Sequence, residues 1–148
     1  MATVHEATAT WQGDLPSGTG TVTTVSGVLQ SAATSWKERT EGTGREGRTS
    51  PEELLAAAHA SCFSMALSAR LAKAGATSTK LEVTAKVTFG AMPGGGNGVA
   101  SSALTVRATA GGIDAAKLSE LADDAKENCP ISKALAANVA LSVEASLV

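Results

Sequence analysis

Ser50-Pro51-Glu52-Glu53-Leu54-Leu55-Ala56-Ala57-Ala58-His59-Ala60-Ser61-Cys62-Phe63-Ser64-Met65-Ala66-Leu67-Ser68-Ala69-Arg70-Leu71-Ala72-Lys73-Ala74-Gly75 is a helix with both ends written into it. Ser50 is placed to cap the first turn, Pro51 suits the first helical position, and Glu53 completes a capping box. Gly75 supplies the stop. From Leu54 to Leu71 the residues are nearly apolar all round, which predicts burial on every side. About 24 residues make ~36 Å of helix, comparable with the width of a domain of this size. A single small chain has difficulty covering such a rod, so a partner subunit is expected to supply the missing cover. The longest uncharged part, Leu54 to Ala69, is 16 residues with three serines and a histidine. A bilayer span needs ~20 strongly apolar residues, so no membrane crossing is expected.

Strand patterns flank this helix. Thr3 to Trp11 alternates in part, Gly20 to Val25 is β-branched between glycines, and Gly27-Val28-Leu29-Gln30-Ser31 reads as a further strand. Arg39 to Ser50, with Gly42, Gly44 and Gly47, reads as a loop. After Gly75, Leu81, Val83, Ala85, Val87 and Phe89 share one face of a strand. Met92 to Gly98 turns the chain, and Val99 to Ala110 returns it. Asp114 caps a second helix through about Glu127, Pro130 opens a short third one with Cys129 as its N-cap, and Val139 to Val148 is a last strand. The order βββαββααβ predicts a single α+β domain over 1–148 with antiparallel sheets.

Composition removes several function classes. The net charge is −2, which leaves no electrostatic footprint for nucleic acid. Tyrosine is absent, and Trp11, Trp36, Phe63 and Phe89 are the only aromatics, too few for a base-stacking platform. No basic-then-apolar leader opens the chain. A cytoplasmic location is therefore expected, where a disulfide is usually catalytic or sensory.

Chemistry concentrates at the two cysteines. Cys62 and Cys129 lie 67 positions apart, which excludes a CxxC pair, and two thiols make a poor zinc site. They are either inert core thiols or a long-range pair that makes and breaks a disulfide, and their surroundings favour the pair. Cys129, before Pro130 at a helix start, feels the positive end of that helix, which lowers a thiol pKa. His59 shares a helix face with Cys62 at i−3 and reads as a satisfied core histidine rather than a base. Arg39 reads first as a solvated loop residue, and Glu52 as helix stabilisation.

Taken together, the motifs resemble the OsmC/Ohr family of thiol-dependent hydroperoxide peroxidases over essentially the whole chain. The matching residues are Trp11-x-Gly13-Asp14, Gly18-x-Gly20, Ser26-Gly27-Val28-Leu29, Arg39-x-Glu41-Gly42, Ser50-Pro51-Glu52-Glu53-Leu54, His59-Ala60-Ser61-Cys62-Phe63-Ser64-Met65 and Asn128-Cys129-Pro130-Ile131-Ser132. His59 and Ile131 are more similar to the OsmC branch. The resemblance implies Cys62 as peroxidatic thiolate, Cys129 as resolving thiol, and Arg39 and Glu52 as the pair that holds thiolate and peroxide. Arg45 or Arg48 are alternatives to Arg39, because the segment between Arg39 and Glu52 is about three residues longer than the family's usual. It also implies an intertwined homodimer with sheets wrapped around long central helices, and a place in oxidative or osmotic stress defence.

The reaction so implied needs no metal, haem or flavin. It takes an organic hydroperoxide, with hydrogen peroxide the poorer substrate, and an external dithiol such as a dihydrolipoyl group or a reductant protein. The apolar surface near Cys62, with Phe63 and Met65, is expected to take the hydroperoxide tail, and Glu52 to hold Arg39 through a two-point contact. The rivals are a redox-responsive module without catalysis and a cysteine hydrolase using Cys62 with His59. The second lacks a glycine-rich elbow to build an oxyanion hole.

Overall fold

A computed structural model describes residues 2–42 and 47–148. Arg45, one alternative to Arg39, lies outside the described residues. The chain forms two compact units, Met1–Leu54 and Leu55–Val148.

The first unit holds a four-stranded sheet in the order β1-β2-β3-β4, from Ala7–Gln12, Thr19–Thr24, Ala32–Ser35 and Arg48–Thr49. Its strands are rich in threonine, and Gly20 lies close under Trp11. A Cβ there would come within 2.8 Å of the indole, so glycine is required by the close approach.

Three expectations are corrected in this unit. Gly27 to Ser31 is not a strand. Gly27, at φ +75°, turns the chain, and residues 24–29 close on themselves as Thr24 N–H donates to Leu29 O at 3.0 Å. The pairing passes instead to Ala32–Ser35. Arg39 is not in a loop but in a helix, α1 (Trp36–Glu41), capped by Ser35 Oγ and ended by Gly42 at φ +60°. Finally, β4 runs parallel to β3.

Helix α2 (Pro51–Lys73) keeps both of its predicted ends. Ser50 Oγ accepts from Glu53 N–H at 3.1 Å. The Glu53 carboxylate accepts from Thr49 Oγ1 at 2.6 Å, so its side chain bonds one residue earlier than a capping box requires. At the other end Gly75 N–H donates to Ala72 O and Ala76 N–H to Leu71 O. Gly75 has φ +80°. This is the Schellman pattern that glycine permits.

The second unit holds a three-stranded sheet in the order β5-β6-β7, from Thr77–Ala91, Asn97–Gly111 and Ala140–Leu147. β5 and β6 form the antiparallel hairpin that alternation predicts. β7 is parallel to β6, which corrects the all-antiparallel expectation. Helices α3 (Ala115–Asn128) and α4 (Pro130–Leu135) carry the chain back across between the two strands, and a return of that kind brings the next strand in parallel. Phe63, Leu67 and Leu71 of α2 join Leu104, Val106 and Ala108 of β6 and Leu118, Ala122 and Ala125 of α3 in one buried core.

Burial of α2 on all sides is not met by one chain. His59, Phe63, Leu67 and Leu71, spaced by four, are completely buried, while Met65 is 66% exposed. Ala58, Ser61, Ala69 and Ala72 are exposed with it. By length and composition alone α2 is apolar enough to cross a bilayer, a test that buried core helices also pass.

Candidate active site

The site residues form two pairs, each inside its own unit. In the first unit Arg39 Nε donates to Glu52 Oε1 at 3.0 Å. Helix α1 presents Arg39 and the first turn of α2 presents Glu52. Glu52 is buried while Arg39 is about one-third exposed, and the guanidinium also lies 5.9 Å from the centre of the Trp36 ring, within cation–π range. The expected two-point contact is a one-point contact: Glu52 Oε2 is buried with no hydrogen-bond partner among the described residues. A buried carboxylate oxygen without a donor is costly, and it is available to accept a proton donor that enters the site. Arg48 lies in β4.

Beside Arg39 is a cavity of about 520 Å³, lined mainly by apolar side chains that include Trp11, Leu15, Val22, Trp36 and Leu54. The surface expected to receive an apolar tail differs from this. Phe63 is wholly buried in the core, and Met65 points to solvent.

In the second unit the sulfur atoms of Cys62 and Cys129 lie 3.2 Å apart, in hydrogen-bonding contact and not joined. α2 presents Cys62 at mid-length, part-buried. Cys129 is wholly buried and stands where α3 ends and α4 begins, held by its own N–H to Ala125 O at 2.8 Å.

Two thiols in contact do not ionise independently. On Cys62 burial is the largest influence and pushes the thiol up. The Ile131 N–H opposes it, and Cys129 adds to the rise. On Cys129 burial also pushes up, but the Ser132 N–H, the Cys62 thiol, the Ser132 hydroxyl and the Ile131 N–H together outweigh it, and the net direction is down. As a neutral thiol Cys129 makes no cap bond; the first amides of α4 favour its anion. Within one chain the surroundings therefore favour an anion on Cys129 over one on Cys62. The sequence expectation of a lowered Cys129 holds in direction, through discrete N–H donors more than through the dipole of a six-residue helix. Among the described residues no cationic side chain figures among the influences on Cys62.

His59 is the satisfied core histidine that the sequence predicts. Its Nδ1 pairs with Ser102 Oγ at 2.8 Å and its Nε2 with Ser132 Oγ at 2.9 Å. Burial lowers its pKa, so it is neutral near pH 7. Both ring nitrogens are occupied, which leaves neither to act as base for Cys62. Ser102 and the hydroxyl of Ser132 were not legible as site residues, because they lie 43 and 73 positions from His59.

The comparisons with known proteins agree with one another. The family model described as OsmC-like protein matches residues 42–144. The chain belongs to the OsmC-like family. It is 41% identical to Peroxiredoxin OsmC of Escherichia coli over 143 residues, 96% of this chain and 97% of that protein. It is 35% identical over 103 residues to an organic hydroperoxide resistance protein of Xanthomonas axonopodis, covering 66% of each chain. Among solved structures, the organic hydroperoxide resistance protein OhrB of Bacillus subtilis superposes with a TM-score of 0.73 at 28% identity, covering 95% of this chain and 98% of that one. The OsmC-like fold thus extends beyond the matched 42–144.

Proposed function

We propose that this OsmC-like chain is a thiol-dependent peroxidase that reduces organic hydroperoxides through a Cys62–Cys129 disulfide. The observation that carries the reading is the pair of unjoined sulfurs 3.2 Å apart on separate elements. Relatives named for peroxiredoxin activity and for organic hydroperoxide resistance support it.

The steps follow from the residue types. The Cys62 thiolate attacks the distal oxygen of the hydroperoxide. The O–O bond breaks, a sulfur–oxygen bond forms, and the alkoxide takes a proton and leaves as alcohol. Cys62 is then a sulfenic acid. The Cys129 thiolate attacks that sulfur, the S–S bond forms, and hydroxide departs to become water. An external dithiol, of the dihydrolipoyl type or on a reductant protein, attacks the disulfide, returns both thiols and leaves as its own disulfide.

This sequence needs Cys62 ionised, and the groups of its own chain work against that. A guanidinium nearby would reverse the balance. On α2, which is unbroken from Pro51 to Lys73, Glu52 and Cys62 are 10 positions apart, ~15 Å along the axis. A site that uses both therefore takes Arg39 and Glu52 from a second copy of the chain, across a two-fold interface. The exposed stripe around Met65 is the surface such a copy would cover. In that arrangement Arg39 draws the charge onto Cys62 and polarises the O–O bond. The unpaired Glu52 Oε2 accepts the peroxide O–H, and the apolar cavity beside Arg39 takes the organic tail. Hydrogen peroxide gains nothing from that cavity and is the poorer substrate. Residues 1–148 act as one functional domain in this reading, in the cytoplasm.

The test is turnover of cumene hydroperoxide and of hydrogen peroxide, each with dihydrolipoamide and with dithiothreitol. Many turnovers with a preference for cumene hydroperoxide are expected. Peroxide consumption that stops at one equivalent despite excess dithiol would leave a redox-responsive module instead.

A further inference from the structure

Cys129 is linked to a buried polar chain that the steps above do not use. Ser102, His59 and Ser132 are at most 1% exposed. They run in line from Ser102 Oγ through His59 Nδ1 and Nε2 to Ser132 Oγ, at 2.8 and 2.9 Å. Ser132 is the third residue of α4, on the turn that Cys129 opens, so its hydroxyl is placed to donate to the Cys129 sulfur when that sulfur is ionised.

Hydrogen counting gives the direction this row must take for the Cys129 sulfur to receive a hydrogen from Ser132. A neutral imidazole carries one N–H and one acceptor nitrogen, and a hydroxyl carries one hydrogen. If Nε2 accepts, the only Ser132 hydrogen is spent on the histidine and the sulfur receives none. If Nε2 donates, Ser132 is free to donate to the sulfur. Nδ1 then accepts from the Ser102 hydroxyl, and every donor in the row points toward Cys129.

We propose that His59 is a positioning residue for Cys129: its Nε2–H bond commits the single Ser132 hydroxyl hydrogen to the Cys129 sulfur, and Ser102 selects the tautomer that does so. The geometry behind this is the His59 row, with hydrogen-bond distances of 2.8 and 2.9 Å, which ends at Ser132 on the first turn of α4 beside Cys129. Besides burial, the influences on Cys129 among the described residues are the Ser132 and Ile131 amides and the Ser132 hydroxyl of α4, and Cys62 of α2, with no charged side chain among them. The sulfur that gains this donor is the one that attacks the sulfenic acid. It also departs when a dithiol attacks the disulfide at Cys62, and a stabilised thiolate leaves faster. The inference rests on the peroxidase reading for that consequence alone.

The chain offers a direct measurement. In the Cys62→Ser background Cys129 is the only thiol, and the absence of tyrosine leaves ultraviolet thiolate absorbance free of phenolate. Ser132→Ala should move the Cys129 titration upward by about one pH unit, the size of one hydrogen bond to a charged group. His59→Met should move it the same way by less, because an unpinned hydroxyl still donates part of the time. His59→Gln, which restores a donor at the Nε2 position, should return it. The double variant His59→Met/Ser132→Ala should match Ser132→Ala alone. A His59→Met titration equal to the parent's would overturn the proposal, as would a double variant shifted beyond Ser132→Ala. Should His59→Met not fold, Ser102→Ala serves: an upward shift supports the tautomer selection and no shift overturns it. The titration needs no peroxide turnover, so its outcome is independent of the test of the peroxidase reading.

Discussion

Oxidising the reduced protein with one equivalent of hydroperoxide should stabilise it markedly, by an amount that the fold bounds. Cys62 and Cys129 are 67 positions apart. In the chain-entropy account, closing a loop of that length removes ~14.6 cal/mol/K from the unfolded ensemble, or ~4.4 kcal/mol at 25 °C. Native-state strain subtracts from this. The sulfurs must close from 3.2 Å to about 2.05 Å, with Cys62 fixed at mid-helix and Cys129 wholly buried. A net gain of about 2–4 kcal/mol is expected. With a urea slope of about 2 kcal/mol/M, that is a midpoint shift of ~1–2 M. The assay is urea unfolding of oxidised and reduced protein at one protein concentration, since any self-association makes the midpoint depend on it. A non-reducing gel should show oxidised protein at the monomer mass of 14.7 kDa. Coincident midpoints, or a band at twice that mass, would refute an intrachain bond formed with little rearrangement.

Cys62→Ser should abolish peroxide consumption, whereas Cys129→Ser should complete one turnover and accumulate sulfenic or sulfinic acid at Cys62 by mass spectrometry. Oxidation appearing first at Cys129 in the parent protein would exchange the two roles. Mixing Cys62→Ser with Glu52→Ala chains, each inactive alone, should restore part of the activity in heterodimers, and verified heterodimers without rescue would exclude a site shared between subunits. His59 gives a pH signature. Its folded pKa is lowered by burial below the free value of 6.5, so the folded state binds fewer protons than the unfolded one. Its contribution is complete above 6.5 and is lost as pH falls through the folded value. Urea midpoints should fall between pH 7 and pH 5 more steeply in the parent than in His59→Gln.

What the sequence made legible was local. The cap at Ser50, the stop at Gly75 and the period-two face from Leu81 to Phe89 depend on neighbours within a few residues, and all three appear in the structure. Helix α1 escaped because six residues offer less than two turns of pattern, and its caps, Ser35 and Gly42, resemble any loop boundary. Gly27–Ser31 carries strand-forming residues, but the positive φ of Gly27 turns them away from the ladder. The direction of β7 depends on the helical return before it and not on its own residues. At the site, spacing alone left the cysteines open between inert thiols and a pair; their surroundings favoured the pair, and their separate roles came from resemblance. The partners of His59 lie on β6 and α4, where two serines carry no signal of their own.

The histidine row has a mechanical consequence as well. Much of α2 is alanine, leucine and serine, a smooth surface whose polar ties to its neighbours are few: Arg70 pairs with Asp124 of α3 at one end, and His59 bonds β6 and α4 nearer the middle. An apolar helix of that kind can slip along its axis with little penalty, since one small side chain replaces another. His59 works as a dowel. Sliding α2 by one turn would strand an imidazole and two hydroxyls in the core without partners, at a cost of several kcal/mol. Cys62 is three residues along the same rod. The lock that holds the histidine therefore sets the height of the sulfur, and a contact of 3.2 Å between two elements 67 positions apart becomes a fixed dimension of the fold instead of an average over sliding states.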